Sequence, residues 1–582
     1  MSALFGFYGP SDAKLLERMQ QALAHRGERP RVIETQQLSL GYWESSWTGK
    51  HCGAGLQRTE TGTIGLAGFQ TPGESKNQIG LDQIASRLSE KSTPPDELSG
   101  DFVIVFLVKD GRFYLVRDGS GARTVYFAEW EGRLFFASEP KAIWSLPGFP
   151  RRLAPNSLAK YLTYSFVPGE ETMLKGIREL PAGHSLIRQP GGEISLQRYF
   201  RFEEVQEASS SLIPADDAVS AFRQAFSQSV TDRLTLLGDQ PPVVFLSGGL
   251  DSSVVTAELV RQSTKKVRTY SLHFGEKYPN ELAYARLVAE RLGTEHEEVL
   301  IRPKDFVGNL HDMVWHLDDP IGDPITMPNF ELAKRVGSEV DFVFNGEGGD
   351  PCFGGPKNIP MLLLHWYGTK RPPLFQEKAY LASYRRAYEE LEYLFTPDFR
   401  KQIDDESLAS QLTPFFECEH PRNYLDKLTA INIRLKGAHL ILPKVERMLA
   451  ATGRVPLSPL FSSELVRLSF QIPSVMKLRR GIEKVVIKEA YRDTLPQQII
   501  DRPKSGMRVP VHFWFQGELR KYARKLLSPK EIKSAGIFDH RRVKQLLNYS
   551  IEEGNGRYGM RLWMLLTFEI WRHMVIENQD SR

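Results

Sequence analysis

Residues 241–260, PPVVFLSGGLDSSVVTAELV, constrain this 582-residue chain more than any other stretch. An apolar run, a Ser-Gly-Gly-Leu-Asp-Ser-Ser loop and an amphipathic continuation predict a buried strand, a phosphate loop and a helix whose free N–H groups favour an anion. Gly248 and Gly249 remove Cβ where backbone must close around phosphate oxygens, and Ser247, Ser252 and Ser253 supply hydroxyl donors. With the flanking Leu246 and Leu250 they form one nucleotide-binding loop. Asp251 cannot donate to phosphate, so a carboxylate here makes sense if it holds Mg²⁺ on a triphosphate. No Gly-Lys-Ser/Thr follows the glycines, which excludes the common P-loop.

SGGLDSS behind a buried strand resembles the signature of the ATP pyrophosphatases, which split ATP into AMP and pyrophosphate while adenylating a substrate oxygen. The rest of the chain gives that loop a setting. Short apolar runs, FVIVFLV (102–108), FYLVRD (113–118) and RLFFASE (133–139), mark the first half as β-sheet. Helical periodicity at 12–23 and 154–162 makes it an α+β sandwich. The Ser-rich stretch 204–214 reads as a linker, dividing the chain into residues 1–205 and 206–582. Beyond it, helix 216–236, strands at 267–274, 296–301 and 341–345, and helices at 280–292 and 329–336 alternate with the phosphate loop. Alternation of this kind predicts a doubly wound parallel sheet, followed after Pro356 by a mainly helical part.

Ligands in such sheets bind at the carboxyl ends of strands, and FVFNGEGGD places a second Gly-rich acidic loop there. Glu347 and Asp350 stand three apart within it, with Gly346 beside the phosphates. Asp350 is the expected partner of Asp251 on Mg²⁺, and Glu347 the expected base or orienter of an attacking amine. Lys504, before Ser505 and Gly506, would carry a cation onto an adenylate or oxyanion. Asp318, Asp319 and Asp323 in HLDDPIGDP either line the substrate pocket or cap a solvated loop. The 75 basic and 71 acidic residues leave a formal charge of +4 and form no long basic run, so nucleic acid is not expected as a partner. Cys52, Cys352 and Cys418 lack metal or disulfide spacing, and no apolar stretch suits a membrane span or signal peptide. A cytoplasmic protein without a membrane partner is the expectation.

At this point the residues resemble class II glutamine-dependent asparagine synthetases and related amide synthetases. MSALFGFYG, AHRGERP, LSGDFVIVF, FFASEPKAI and KGIRELPAGHSL follow the family's glutaminase half. SGGLDSS, GEGGD, KVERM, RPKSGM and RLWMLLTFEIW follow its synthetase half. The resemblance implies an Ntn-hydrolase-type first domain and an adenylating second domain, with ATP and Mg²⁺ at Asp251 and Asp350 and catalytic positions at Glu347 and Lys504.

Departures from the pattern carry equal weight. Position 2 is Ser2 where the family has its nucleophilic Cys. LGYWES stands for LGHRRL and AGFQTP for NGEIYN, and Ala67 and Phe69 cannot replace an amide donor and a carboxylate. The HRGPD segment has become His25-Arg26-Gly27-Glu28-Arg29. These changes imply a first domain kept for its fold while glutamine hydrolysis is lost. What remains is adenylation of a small-molecule or peptide carboxylate and attack by an amine that does not come from glutamine. Lasso-peptide macrolactam cyclases and β-lactam synthetases share the missing Cys, and β-lactam synthetases place Tyr at the position of Glu347. Peptide macrolactam formation, ammonia-dependent asparagine synthesis, β-lactam closure and a non-catalytic scaffold stand as alternatives. A leader-peptide or protease partner and a homodimer are compatible with all of them.

Overall fold

Ten residues of strand, Ser99–Val108, show why the first half folds as it does. Val103, Val105 and Leu107 point one way and meet Leu4, Leu40 and Tyr42 of a second sheet. Phe102, Ile104 and Phe106 point the other way, onto Ile84, Ala85 and Leu88 of the helix Leu81–Lys91. Both faces are covered, so the strand reads as a continuous apolar run and not as an alternation. It pairs antiparallel with Gly62–Thr71 over its whole length and with Phe113–Arg117 on the other side. Two six-stranded antiparallel sheets result. The outer face of the second takes Leu16 and Met19 of the helix Ala13–Ala22, which Asp12 caps by accepting from Lys14 and Leu15 N–H. The layers are helix, sheet, sheet, helix.

This computed structural model describes the chain apart from residues 46, 48–51, 73–77, 96, 208–211, 356–357, 369–371, 384–386, 422, 504–505, 550–556 and 578–582. Much of the serine-rich stretch expected to be a linker therefore lies outside the described residues.

The second half is built on a five-stranded parallel sheet. Its order is Glu295–Leu300, Arg268–His273, Val243–Phe245, Phe342–Phe344, Val455–Leu457. Chain order runs outward from Val243–Phe245 to one edge, then returns to its other side, so the direction of winding reverses between Val243–Phe245 and Phe342–Phe344. Loops leaving those two strands are the two Gly-rich acidic loops. The last strand was not expected from the sequence. Further along, Asn432–Ile441 is a π-helix joining the helices Tyr424–Ile431 and Leu442–Ala450. The terminal helix Arg557–Val575 buries Trp563, Leu565, Leu566, Phe568 and Trp571, as its helical spacing of large residues predicts.

Buried charge joins the two halves. Arg26 binds both Glu139 and Glu446, and Arg447 Nη1 lies 2.9 Å from Glu139. Arg117, fully buried, donates to the carbonyl of Ala438 on the π-helix at 3.1 Å. Trp47 packs edge-on against Phe342 of the parallel sheet, with ring centroids 5.2 Å apart. Removing one member of such a network would strand a buried charge at a cost of roughly 3–5 kcal/mol. No helix among the described residues is long and apolar enough to cross a membrane.

Candidate active site

Both acidic loops open into one cavity of about 620 Å³ at the reversal point of the parallel sheet. Their approach depends on two absent side chains. A Cβ on Gly346 would meet Ser252 N at 2.5 Å, and one on Gly349 would meet Asp251 Oδ1 at 2.2 Å. Glycine at both lets the second loop rest on the first turn of the helix Leu250–Gln262. Leu246, Ser247, Gly249, Asp251, Ser252, Gly346, Glu347 and Asp350 line the cavity together.

Three other residues of the expected loop stand behind it. Ser253 is fully buried, and its Oγ donates to Gly249 O at 2.7 Å. Gly248 and Leu250 shape the turn without lining the cavity. Ser252 Oγ is shared between Ser247 Oγ at 3.1 Å and Gly249 O at 3.2 Å, so the hydroxyls hold the loop's shape as well as facing the cavity. Lys504 lies outside the described residues, but Gly506, Met507 and Arg508 line the mouth immediately after it.

Sequence reasoning missed the cation that organises the carboxylates. Lys484 Nζ lies 2.5 Å from Asp251 Oδ2 and 2.5 Å from Asp350 Oδ1. Lys484 precedes the helix Val485–Tyr491 with φ +57°, a left-handed conformation that a β-carbon makes unfavourable and that recurs where function constrains the backbone. Two further lysines come from the π-helix and its continuation. Lys444 Nζ is 3.0 Å from Asp323, which lines the cavity. Burial opposes its charge, but Asp323 and Glu347 hold its pKa above the ordinary value. Burial draws the ammonium of Lys436 below its ordinary value against the attraction of Asp350. Among the described residues no carboxylate lies within 4 Å of Lys436 Nζ. The π-helix brings Lys436 there because Gly437 packs against Phe461, where a Cβ would come within 2.5 Å of the ring.

Asp318 and Asp319 part company with Asp323. Asp318 is buried and Asp319 half-buried at the junction of the two halves, where desolvation pushes each up to about 7. Asp318 faces Lys141 at 3.5 Å and Asp319 accepts from Met173 N at 3.1 Å. Neither lines the cavity.

The donor set suits ATP with a divalent cation. Mg²⁺ commonly takes one or two protein carboxylates and completes its shell with phosphate oxygens and water. Asp251 and Asp350 supply that pair, already gathered on one positive charge. Cavity walls of Tyr270, Leu272, Ile325, Leu332 and Met448 provide apolar surface for a base or an acyl chain.

The neighbourhood of Ser2 is different. Ser2 Oγ accepts from Gly68 N at 3.0 Å, and Met1, Ser2, Trp47, Ala67 and Phe69 are all buried. Met1 Sδ is 2.9 Å from Arg26 Nη1 and 2.8 Å from Arg123 Nη1. The Arg123 guanidinium lies over the Phe69 ring, 5.6 Å from its centre. His25, which the HRGPD comparison singled out, binds Glu139 at 3.0 Å, and burial pulls it down to about 4.

Comparison with known proteins adds a family to this geometry. Residues 221–573 match the family described as asparagine synthase, and residues 92–200 match the glutamine amidotransferase domain. Asparagine synthetase [glutamine-hydrolyzing] 1 of Bacillus subtilis is 25% identical over 519 residues, which cover 84% of this chain and 80% of that protein. A putative glutamine-hydrolysing asparagine synthetase of Mycobacterium tuberculosis is 25% identical over 500 residues, covering 80% of this chain and 75% of its own. Amidase chyE of Penicillium rubens is 23% identical over 508 residues, covering 76% of this chain and 74% of its own.

Proposed function

This chain belongs to the asparagine synthase family and is an ATP-dependent ligase, and from that premise we propose that it adenylates a substrate carboxylate and joins it to an amine without hydrolysing glutamine. Residues 1–205 form, on this reading, a degenerate glutaminase domain, and residues 206–582 a synthetase domain of the ATP pyrophosphatase type. The observation that carries the reading is the pair Asp251 and Asp350 held on Lys484 at the junction of the two Gly-rich loops.

Asp251 and Asp350 would hold Mg²⁺, which when bound neutralises the triphosphate. The loop from Ser247 to Ser252 receives the pyrophosphate through its N–H groups and hydroxyls. The substrate carboxylate attacks the α-phosphorus and pyrophosphate leaves, giving an acyl-adenylate. Lys484, freed from its carboxylates, faces the adenylate and offsets the oxyanion that forms as the amine attacks. Glu347 accepts the proton of the amine, and AMP departs. Lys504 would act as a second cation.

Loss of glutamine hydrolysis is supported by the apolar packing around Ser2, by Ala67 and Phe69 in place of polar contacts, and by Arg26 being committed to Glu139 and Glu446. Without glutamine as nitrogen donor, the amine belongs to the substrate, and peptide macrolactam formation in specialised metabolism is the preferred reaction. Ammonia-dependent asparagine synthesis is the second reading, favoured by Glu347.

AMP release by purified protein with Mg-ATP decides between them. A linear peptide with a free amino terminus and an Asp or Glu side chain should support turnover with loss of one water from the peptide mass. Turnover with aspartate and ammonium alone selects the second reading, and glutamate release from glutamine coupled to turnover sinks both.

A further inference from the structure

We propose that Asn345 is a positioning residue for Glu347 and acts through the backbone of the second acidic loop. The inference rests on the role given to Glu347 above. Asn345 is the first residue beyond the strand Phe342–Phe344, and its N–H continues the ladder by donating to Leu457 O at 3.0 Å. Its side chain then turns forward along the chain. Asn345 Oδ1 accepts from Glu347 N at 3.0 Å, the turn that asparagine makes with the backbone two residues on. The same oxygen accepts from Ser458 Oγ at 2.9 Å, just past the neighbouring strand Val455–Leu457.

A backbone N–H can only donate, so the amide oxygen must be the atom that faces Glu347, and Nδ2 faces elsewhere. Asn345 is 5% exposed, and Nδ2 is buried with no acceptor among the described residues. Leaving a buried donor unpaired costs roughly 1–3 kcal/mol. An apolar residue would serve the sheet better, as the fully buried Val343 and Phe344 do in the strand itself. What accounts for asparagine at the wall of the cavity is the group that its oxygen holds.

That group lies at one end of the loop, and the other end has its own supports. Gly348 rests on Leu460, where a Cβ would come within 2.5 Å of the carbonyl oxygen, and Gly349 rests on Asp251. Asp350 is held on Lys484. Glu347 stands between Gly346 and Gly348, so neither neighbour has a side chain that could fix its course. The bond from Glu347 N–H to Asn345 therefore directs the stretch of backbone from which the Glu347 carboxyl group projects. Removing Asn345 should disturb the base while leaving the two carboxylates on Lys484 in place, and so separate amide formation from adenylation.

The test reads the two half-reactions of the purified full-length enzyme separately. ATP–pyrophosphate exchange reports adenylation, with a linear peptide that carries an Asp side chain and an acetylated amino terminus. Loss of one water from the same peptide with a free amino terminus reports amide formation. Aspartate, without and with ammonium, is the probe pair if the peptide gives no exchange. Asn345→Ala should slow amide formation about 10- to 100-fold, as expected for a misplaced catalytic group, and leave exchange and its KM for ATP within about threefold of the parent. Asn345→Ser, whose hydroxyl accepts the same N–H more weakly, should return amide formation to within about fivefold of the parent. Ser458→Ala, which removes the second bond to the Asn345 oxygen, should slow the same step by a smaller factor and gives the answer if Asn345→Ala does not fold.

Equal losses in both half-reactions would mean that Asn345 only supports the sheet, and would overturn the proposal. Unchanged amide formation in Asn345→Ala, or no recovery in Asn345→Ser, would do the same. Glu347→Gln distinguishes this failure from failure of the reading beneath it. If Glu347→Gln spares amide formation, the role of Glu347 falls and that of Asn345 with it; if it abolishes amide formation and Asn345→Ala does not slow it, Asn345 alone is rejected.

Discussion

Ser2 and Asp251 each mark the place where one half of this chain would perform chemistry, and their surroundings differ. Around Ser2, apolar side chains fill the space and Arg26 is held by two carboxylates. Around Asp251 a cavity of about 620 Å³ remains, Lys484 is kept at positive φ, and Lys436 has no carboxylate within ion-pair distance among the described residues. Charge satisfied by the protein itself contributes to holding the two halves together. Charge and strain left facing a cavity cost stability, and a bound anion or cation is what offsets them. The contrast supports the proposed site in the second half by energetics, independently of any motif.

The sharpest way to break that contrast is Lys484→Ala. If Lys484 offsets charge on the adenylate and oxyanion, kcat for AMP release should fall on the order of 10²–10³-fold with little change in KM for ATP. A role confined to separating Asp251 from Asp350 predicts instead that excess Mg²⁺ restores turnover. Lys436→Met sharpens the comparison at a second cation. Removing an unpaired ammonium from the cavity should raise KM for the carboxylate substrate on the order of 10-fold, leave kcat nearly unchanged, and slightly stabilise the free protein by thermal melting. An unchanged KM would mean that Lys436 does not meet the substrate.

How much of this was legible in the sequence depends on the range over which each signal acts. SGGLDSS and GEGGD were readable because glycines, hydroxyls and acids that serve one ligand lie within a few residues of one another. The sheets followed from short apolar runs and the helices from a period of 3.6. Lys484 was not readable, since it meets Asp251 across 233 residues and only the packed fold brings them together. Val455–Leu457 is too short to show a period, and the π-helix spoils the helical spacing around Lys436. DDPIGD shows the same limit within six residues: Asp318 and Asp319 end at the junction of the halves, whereas Asp323 reaches the cavity.

Those two junction acids allow a pH test of the first term of the comparison. Burial raises Asp319 to about 7 from an unfolded value near 3.8. A raised carboxyl favours the folded state fully below the unfolded pKa and loses that contribution as pH rises through the folded one. The protein should therefore lose stability between about pH 4 and pH 7 through this group, on the order of 1 kcal/mol or more. Asp319→Asn keeps an acceptor for Met173 N–H and removes the titration. Its melting temperature should match the parent only near pH 4, with an advantage that grows to about pH 7 and then levels off; an equal difference at pH 4 and pH 8 would show that Asp319 does not titrate in this range.

Ser2→Ala has the smallest expected effect and bears on the other term directly. If Ser2 is a packing residue, the substitution removes one hydroxyl that accepts a bond from Gly68 N and leaves the surrounding apolar contacts in place. Loss of such a bond is worth roughly 1 kcal/mol of stability and nothing in turnover. AMP release should stay within about twofold of the parent for whichever amine the enzyme accepts, and neither protein should release glutamate from glutamine. A nucleophile behaves otherwise, because removing the attacking atom abolishes its reaction while barely touching stability. Glutamate release by the parent that disappears in Ser2→Ala would show that the buried setting of Ser2 opens to substrate. The two halves would then differ in accessibility and not in whether each retains its chemistry.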